Sequence, residues 1–145
     1  MKRIQQFEKA KRCNMSASGV WGLVVKKDVL SKYSLMFDER FGAGTDCMSG
    51  EDTIFLMNMI NRGVALYRSP IDIAGIDQSE SSWIKTINDS QYYETSAMVI
   101  HSIYPKLSRL IAIRSAFKAS RRDENAMSFI RILRCYYRGI QNSSQ

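Results

Sequence analysis

The sequence predicts an α/β fold, a partial sheet-and-helix core followed by a helical C-terminal extension. Three observations predict it. GVWGLVV, residues 19–25, strings β-branched and aromatic residues together as a buried strand does. Residues 54–60 are almost wholly apolar, long enough for a buried helix, with Gly63 behind them. Beyond residue 84 the chain reads as helix alone, and its last part, residues 101–145, carries the whole charge excess.

Taken in order, residues 1–14 are polar and basic and read as a short helix or a loose end. Residues 18–26 read as the buried strand and 28–33 as a short helix. Residues 37–47 form a loop rich in Gly and Asp. A helix follows over 50–62, and Gly63 is placed to end it in the left-handed conformation. Residues 64–68 read as a strand, Pro70 breaks it, and IDIAGI (71–76) reads as a second. A polar loop over 79–83 ends in Trp83. Three helices complete the chain: 84–101, one opened by Pro105 and running to about Ser120, and 124–139. Too few strand–helix units are present for a complete doubly wound sheet. The natural division is a core over 1–100 and a basic helical extension over 101–145.

Composition narrows the class. The chain has 145 residues, 45% hydrophobic and 24% charged, enough for one domain with a real core and unlike a disordered chain. Its apolar runs are too short for a signal peptide or a bilayer span. Cys13, Cys47 and Cys135 are widely spaced with no CxxC, which argues against a disulfide framework or zinc site and fits a reducing cytoplasm. The single histidine, His101, cannot build a histidine metal site, and a satisfied structural role is expected for it.

The net charge of +7 is unevenly placed. Residues 1–100 carry twelve basic and twelve acidic side chains; residues 101–145 carry nine against two. That asymmetry points to an acidic partner, phospholipid or nucleic acid. In the last helix Met127, Ile130, Leu133, Tyr137 and Ile140 are read as an apolar stripe beside Arg131, Arg134 and Arg138. Such a helix can lie on an anionic membrane, so peripheral membrane contact through 105–140 is one expectation. The plainer one is a helix packed on the domain with its arginines in water. Tyr136 and Tyr137 are too few for a stacking platform, and no nucleic-acid partner is expected.

The stretch SGEDTIFLMNMI, residues 49–60, raises the chemical question. Ser49 followed by Glu51 and Asp52 approaches a capping box, and acids in a first turn gain about 0.3–1 kcal/mol each from the helix dipole. That alone would explain both. Against it, the helix behind them is apolar on nearly every side, and a buried helix is a rigid mount for a carboxylate. The preceding loop is long and glycine-rich, as site-lining loops are. A carboxylate at a helix N-terminus stays ionised, which a general base requires.

FDERFGAGTDCMSGEDTIFLMNMINRGVALYRSP resembles the second half of family 2 glycosyltransferases, enzymes of the GT-A fold. Upstream, WGLVVKKDVL resembles the strand and short helix that precede this stretch there; downstream, IDQSESSWIK resembles the acceptor-side loop. The resemblance covers roughly residues 15–90. It implies inverting transfer of a sugar from a nucleotide-sugar to an acceptor hydroxyl of a glycan or lipid-linked molecule. Asp52 would be the base and Glu51 would hold the loop or the acceptor. Gly50, Arg40, Ser82 and Trp83 would lie on the substrate, with Lys85 another candidate for phosphate or sugar; Asp77, with Gln78 beside it, falls near a metal-binding position. The complete family enzyme uses a divalent metal, Mg or Mn, held by a D-x-D against the diphosphate. No D-x-D occurs in this sequence, and the opening nucleotide-binding strand of the family is not matched. The expectation is therefore an acceptor-side fragment, inactive in isolation, cytoplasmic or at the inner membrane face. Its strands, at 18–26 and 64–73, would leave a bare edge that favours self-association. The rival is a non-enzymatic basic module that binds membrane surface or nucleic acid, with no role for Asp52.

Overall fold

The computed structural model describes residues 5–11, 22–71, 89–122 and 127–143. Its elements are β1 (Glu8–Lys9), α1 (Lys27–Lys32), α2 (Glu51–Asn61), β2 (Tyr67–Arg68), α3 (Asp89–Ile103), α4 (Ser108–Ser120) and α5 (Phe129–Asn142). The fold is mixed but mostly helical. Among the described residues the sheet has two strands: β1 pairs antiparallel with β2, Glu8 opposite Arg68 and Lys9 opposite Tyr67. Ala10 N–H extends the pairing to the Leu66 carbonyl at 2.9 Å, and Arg68 pairs with Glu8 across it.

This corrects the sequence reading of the sheet. Residues 22–26 lie within the expected strand 18–26 but form none. The strand expected over 64–68 is only Tyr67–Arg68, and its partner comes from residues 8–9, expected as a short helix or a loose end. The second strand expected over 71–76 lies outside the described residues after Ile71. Leu23 and Val25 still turn inward, packing on the core from an irregular segment rather than from a sheet.

α2 is the centre of the first half. Ile54, Phe55, Leu56, Met57 and Met59 are all buried. Each such side chain contributes about 1.5–3 kcal/mol on leaving water. Phe55, Leu56 and Met59 face Ala10, Leu35 and the apolar side of α1, and Phe37 stacks on Phe55 at 4.2 Å between ring centroids. Gly63 ends the helix at φ +77°: its N–H reaches the Ile60 carbonyl at 3.1 Å, and Val64 N–H reaches Met59 at 3.0 Å. That paired closure needs a left-handed residue, which glycine supplies without strain. Arg62, at the C-cap, donates to the carbonyls of Tyr33 and Ser34 and so ties the end of α2 to the end of α1.

The second half is a three-helix cluster. α3 and α5 share the longest seam, and α4 lies against α5. Its core is Tyr93, Ala97, Ala112, Ala116, Ala119, Met127, Ile132, Cys135, Tyr136 and Ile140. The helix α3 runs through residue 100 without a break, and its Met98, Val99 and Ile103 also pack on Phe41, Cys47 and Ile54 from the first half. The face that α5 buries is Ile132, Cys135, Tyr136, Gly139 and Ile140. The apolar stripe read from sequence is right in part: Met127 and Ile140 are buried and Leu133 packs on the core, but Ile130 is 62% exposed and Tyr137 sits at the margin. Arg131, Arg134 and Arg138 face solvent, and Arg138 pairs with Glu94 of α3 at 2.8 Å. Among the described residues no helix is long and apolar enough to cross a membrane.

Candidate functional site

The site expected from sequence centres on the first turn of α2. Gly50 is the N-cap, at φ +110°, and its carbonyl accepts the first helical bond from Ile54 N–H at 3.0 Å. A glycine has no side chain to cap with, so the reciprocal capping box anticipated from Ser49 does not form. Glu51 and Asp52 occupy the first two helical positions, where the exposed N–H dipoles favour negative charge.

Gly50 is fixed from two sides. Its φ lies where L side chains are strained, and a Cβ there would overlap Val99 Cγ2 of α3. The N-terminus of α2 is thus set directly on α3. Glu51 and Asp52 are both half-buried; Asp52 Oδ1 is shut off from solvent, and Glu51 lies across Gly42, 3.3 Å from where a Cβ would stand on that glycine. Gly42, at φ +112°, starts the loop that returns at Cys47, where its N–H meets the Cys47 carbonyl at 2.8 Å. Thr45 closes the loop from inside: its hydroxyl lies 2.9 Å from both the Gly42 and Cys47 carbonyl oxygens and accepts from Cys47 N–H.

Arg40 does not reach into this turn. Its guanidinium clasps Asp38 through two bonds of 2.9 and 2.7 Å and lies over the Phe41 ring. The guanidinium holds the Asp38 carboxyl below the usual carboxylate range. Asp77, Gln78, Ser82, Trp83 and Lys85 all lie outside the described residues. Of the expected site, the structure brings together Gly50, Glu51 and Asp52, with Arg40 engaged nearby on Asp38.

Sequence reading missed the residues that hold this turn: Gly42, Thr45 and Val99. The Gly42–Ala43–Gly44–Thr45 run was a visible signal for a tight loop; Val99, distant in sequence, gave none. Next to the loop lies a pocket of about 450 Å³ lined by Asp46, Cys47, Gln91, Glu94, Thr95 and Met98, with Asn142 at its α5 side. Neither acid of α2 lines it. Burial, then the charge of Asp46, pushes the Cys47 thiol above its ordinary pKa, so it stays protonated and packs on Met98 with 3.2 Å between sulfurs.

Among the described residues no group of three or more His, Cys, Asp or Glu is placed to hold a metal ion, and Asp77 lies outside them. His101 has a structural role. Ser108 Oγ gives its proton to the Pro105 carbonyl at 3.0 Å and so accepts from His101 Nδ1, also at 3.0 Å, which binds the end of α3 to the start of α4. Cys47 and Cys135 are buried free thiols. No family model, curated protein or solved structure matches this chain.

Proposed function

We propose that this chain is the acceptor-side portion of an inverting glycosyltransferase resembling family 2, with a GT-A-like core completed by a nucleotide-binding half. Asp52 is the general base. An acceptor hydroxyl attacks the anomeric carbon in line, the carbon–oxygen bond to the diphosphate breaks, and the hydroxyl proton passes to the Asp52 carboxylate. Glu51, laid across Gly42, positions the loop beside it. A divalent metal, in the completed enzyme, would neutralise the departing diphosphate; the described residues of this chain supply no donor set for it.

The observation that carries the reading is the α2 N-terminus itself. Two adjacent carboxylates stand at the start of a helix buried on nearly every side, and the cap is made by glycine backbone rather than by a capping box. The acids are therefore not accounted for by a box, and a rigid mount is what a base needs to reach a hydroxyl in a fixed geometry. Backbone NMR of the chain, titrated with nucleotide-sugars and with oligosaccharide acceptors, tests the site. Acceptors are expected to shift the amides of Gly50, Glu51, Asp52 and the 41–47 loop. Shifts confined to other elements across the panel would sink the assignment.

A further inference from the structure

α4 is built inside out. Its buried positions are small: Ser108, Ala112, Ala116 and Ala119, at spacings that keep them on one side. Three of its four large apolar residues point to water instead: Leu110 is 67% exposed, Ile113 41% and Phe117 50%, while Ile111 is half-buried. The alanines let α4 lie close against α5, but they do not require Leu110, Ile113 or Phe117 on the far side. Leucine, isoleucine and phenylalanine at i, i+3 and i+7 form one ridge on a helix.

The ridge is framed by charge of one sign. Residues 104–122 contain six basic side chains, Lys106, Arg109, Arg114, Lys118, Arg121 and Arg122, and no acid. All six are exposed. At 100° per residue, Arg114, Lys118 and Arg121 fall along one flank of the ridge and Arg109 along the other. Arg121 folds its guanidinium over the Phe117 ring at 4.0 Å, and Phe117 meets Phe129 edge-on, which joins the ridge to the first turn of α5.

We propose that this outward face of α4 docks on an anionic lipid surface. The helix lies in the interfacial plane with Leu110, Ile113 and Phe117 in the acyl boundary and the basic side chains reaching to the headgroups. A second copy of the chain is disfavoured, because the same cations would face each other. A nucleic acid would satisfy the cations but leave Leu110 and Ile113 in water, since aliphatic side chains offer bases no stacking face. The sequence reading allowed membrane contact anywhere through 105–140; the structure packs one face of α5 on the core and leaves Leu110, Ile113 and Phe117 of α4 exposed. The proposal stands apart from the reaction assigned to Asp52.

Co-sedimentation of the chain with vesicles tests it, using phosphatidylcholine alone and phosphatidylcholine mixed with phosphatidylglycerol. Binding is expected only to the anionic vesicles. Arg114→Gln with Lys118→Gln should lower partition roughly 30-fold, at about fivefold per cation near the surface. Leu110→Ser should lower it about tenfold. Both variants change exposed side chains, and circular dichroism checks that they fold. Equal binding to neutral vesicles, or anionic binding that Leu110→Ser leaves intact, would overturn the proposal. So would pelleting without vesicles, or duplex DNA that displaces the vesicles and binds the Leu110→Ser chain equally well.

Discussion

Gly139→Ala gives the sharpest test of the helical half because two effects oppose each other. In an exposed helix interior, alanine is better than glycine by about 1 kcal/mol. At position 139 a Cβ would overlap the Glu94 carbonyl oxygen and stand 2.9 Å from both the Glu94 carbonyl carbon and Ala97 Cβ. None of these can swing away, as two belong to the α3 backbone and the third is fixed to it. Ordinary carbon contacts are about 3.5–4.0 Å, so α3 and α5 must part by about 1 Å. Parting them loosens the seam that also holds Ala97, Cys135, Tyr136 and Ile140. Overpacking of this kind costs about 1–3 kcal/mol and occasionally more. The clash outweighs the propensity gain, and a net loss of about 1 kcal/mol or more is expected. Urea unfolding followed by circular dichroism measures it as a lower midpoint at unchanged slope. A variant as stable as the parent, or more stable, would refute the close crossing of α3 and α5.

Two further outcomes follow from the geometry. Gly50→Ala should destabilise the chain through backbone strain of about 1–2 kcal/mol at positive φ plus the overlap with Val99. Adding Val99→Ala should recover only the overlap part, so an additive double-mutant cycle would disprove the α2–α3 contact. Burial, ahead of the nearby Tyr92, pushes the Tyr136 hydroxyl up to about 12. Its folded pKa is thus above the unfolded value of about 10, and the neutral phenol stabilises the fold below pH ~10, with that contribution lost as pH rises through about 12. Tyr136→Phe should flatten the alkaline limb of a stability–pH curve between those values, and an unchanged limb would contradict the burial.

Much of the helical framework was legible in the sequence. The apolar run 54–60 and Gly63 located α2 and its left-handed end, because both signals are local. The short helix expected over 28–33 appears as Lys27–Lys32. The helix expected from Pro105 begins at Ser108, because Pro105 to Leu107 form a turn whose carbonyl is held by Ser108. The sheet was not legible: Glu8–Lys9 finds its partner about sixty residues away, and two-residue strands carry no alternation to read. The buried face of α5 was read only in part, through Ile140, because Cys135 and Gly139 also lie on it. Gly139 matters for the side chain it lacks, which no hydropathy pattern records. The place of Glu51 and Asp52 in the first turn of α2 was legible from the small-residue loop before an apolar helix. Val99, which seats Gly50, was not, since only tertiary packing brings it there.

The proposed role of Asp52, taking a proton from an acceptor hydroxyl, is tested by turnover. The chain is joined to a nucleotide-binding half, supplied with Mg²⁺ or Mn²⁺, a panel of nucleotide-sugars and oligosaccharide acceptors, and followed by nucleoside diphosphate release. Transfer is expected, and Asp52→Asn should slow it about 10²–10⁴-fold with the fold intact. Transfer that Asp52→Asn leaves unchanged, or no transfer with any donor, would contradict the account.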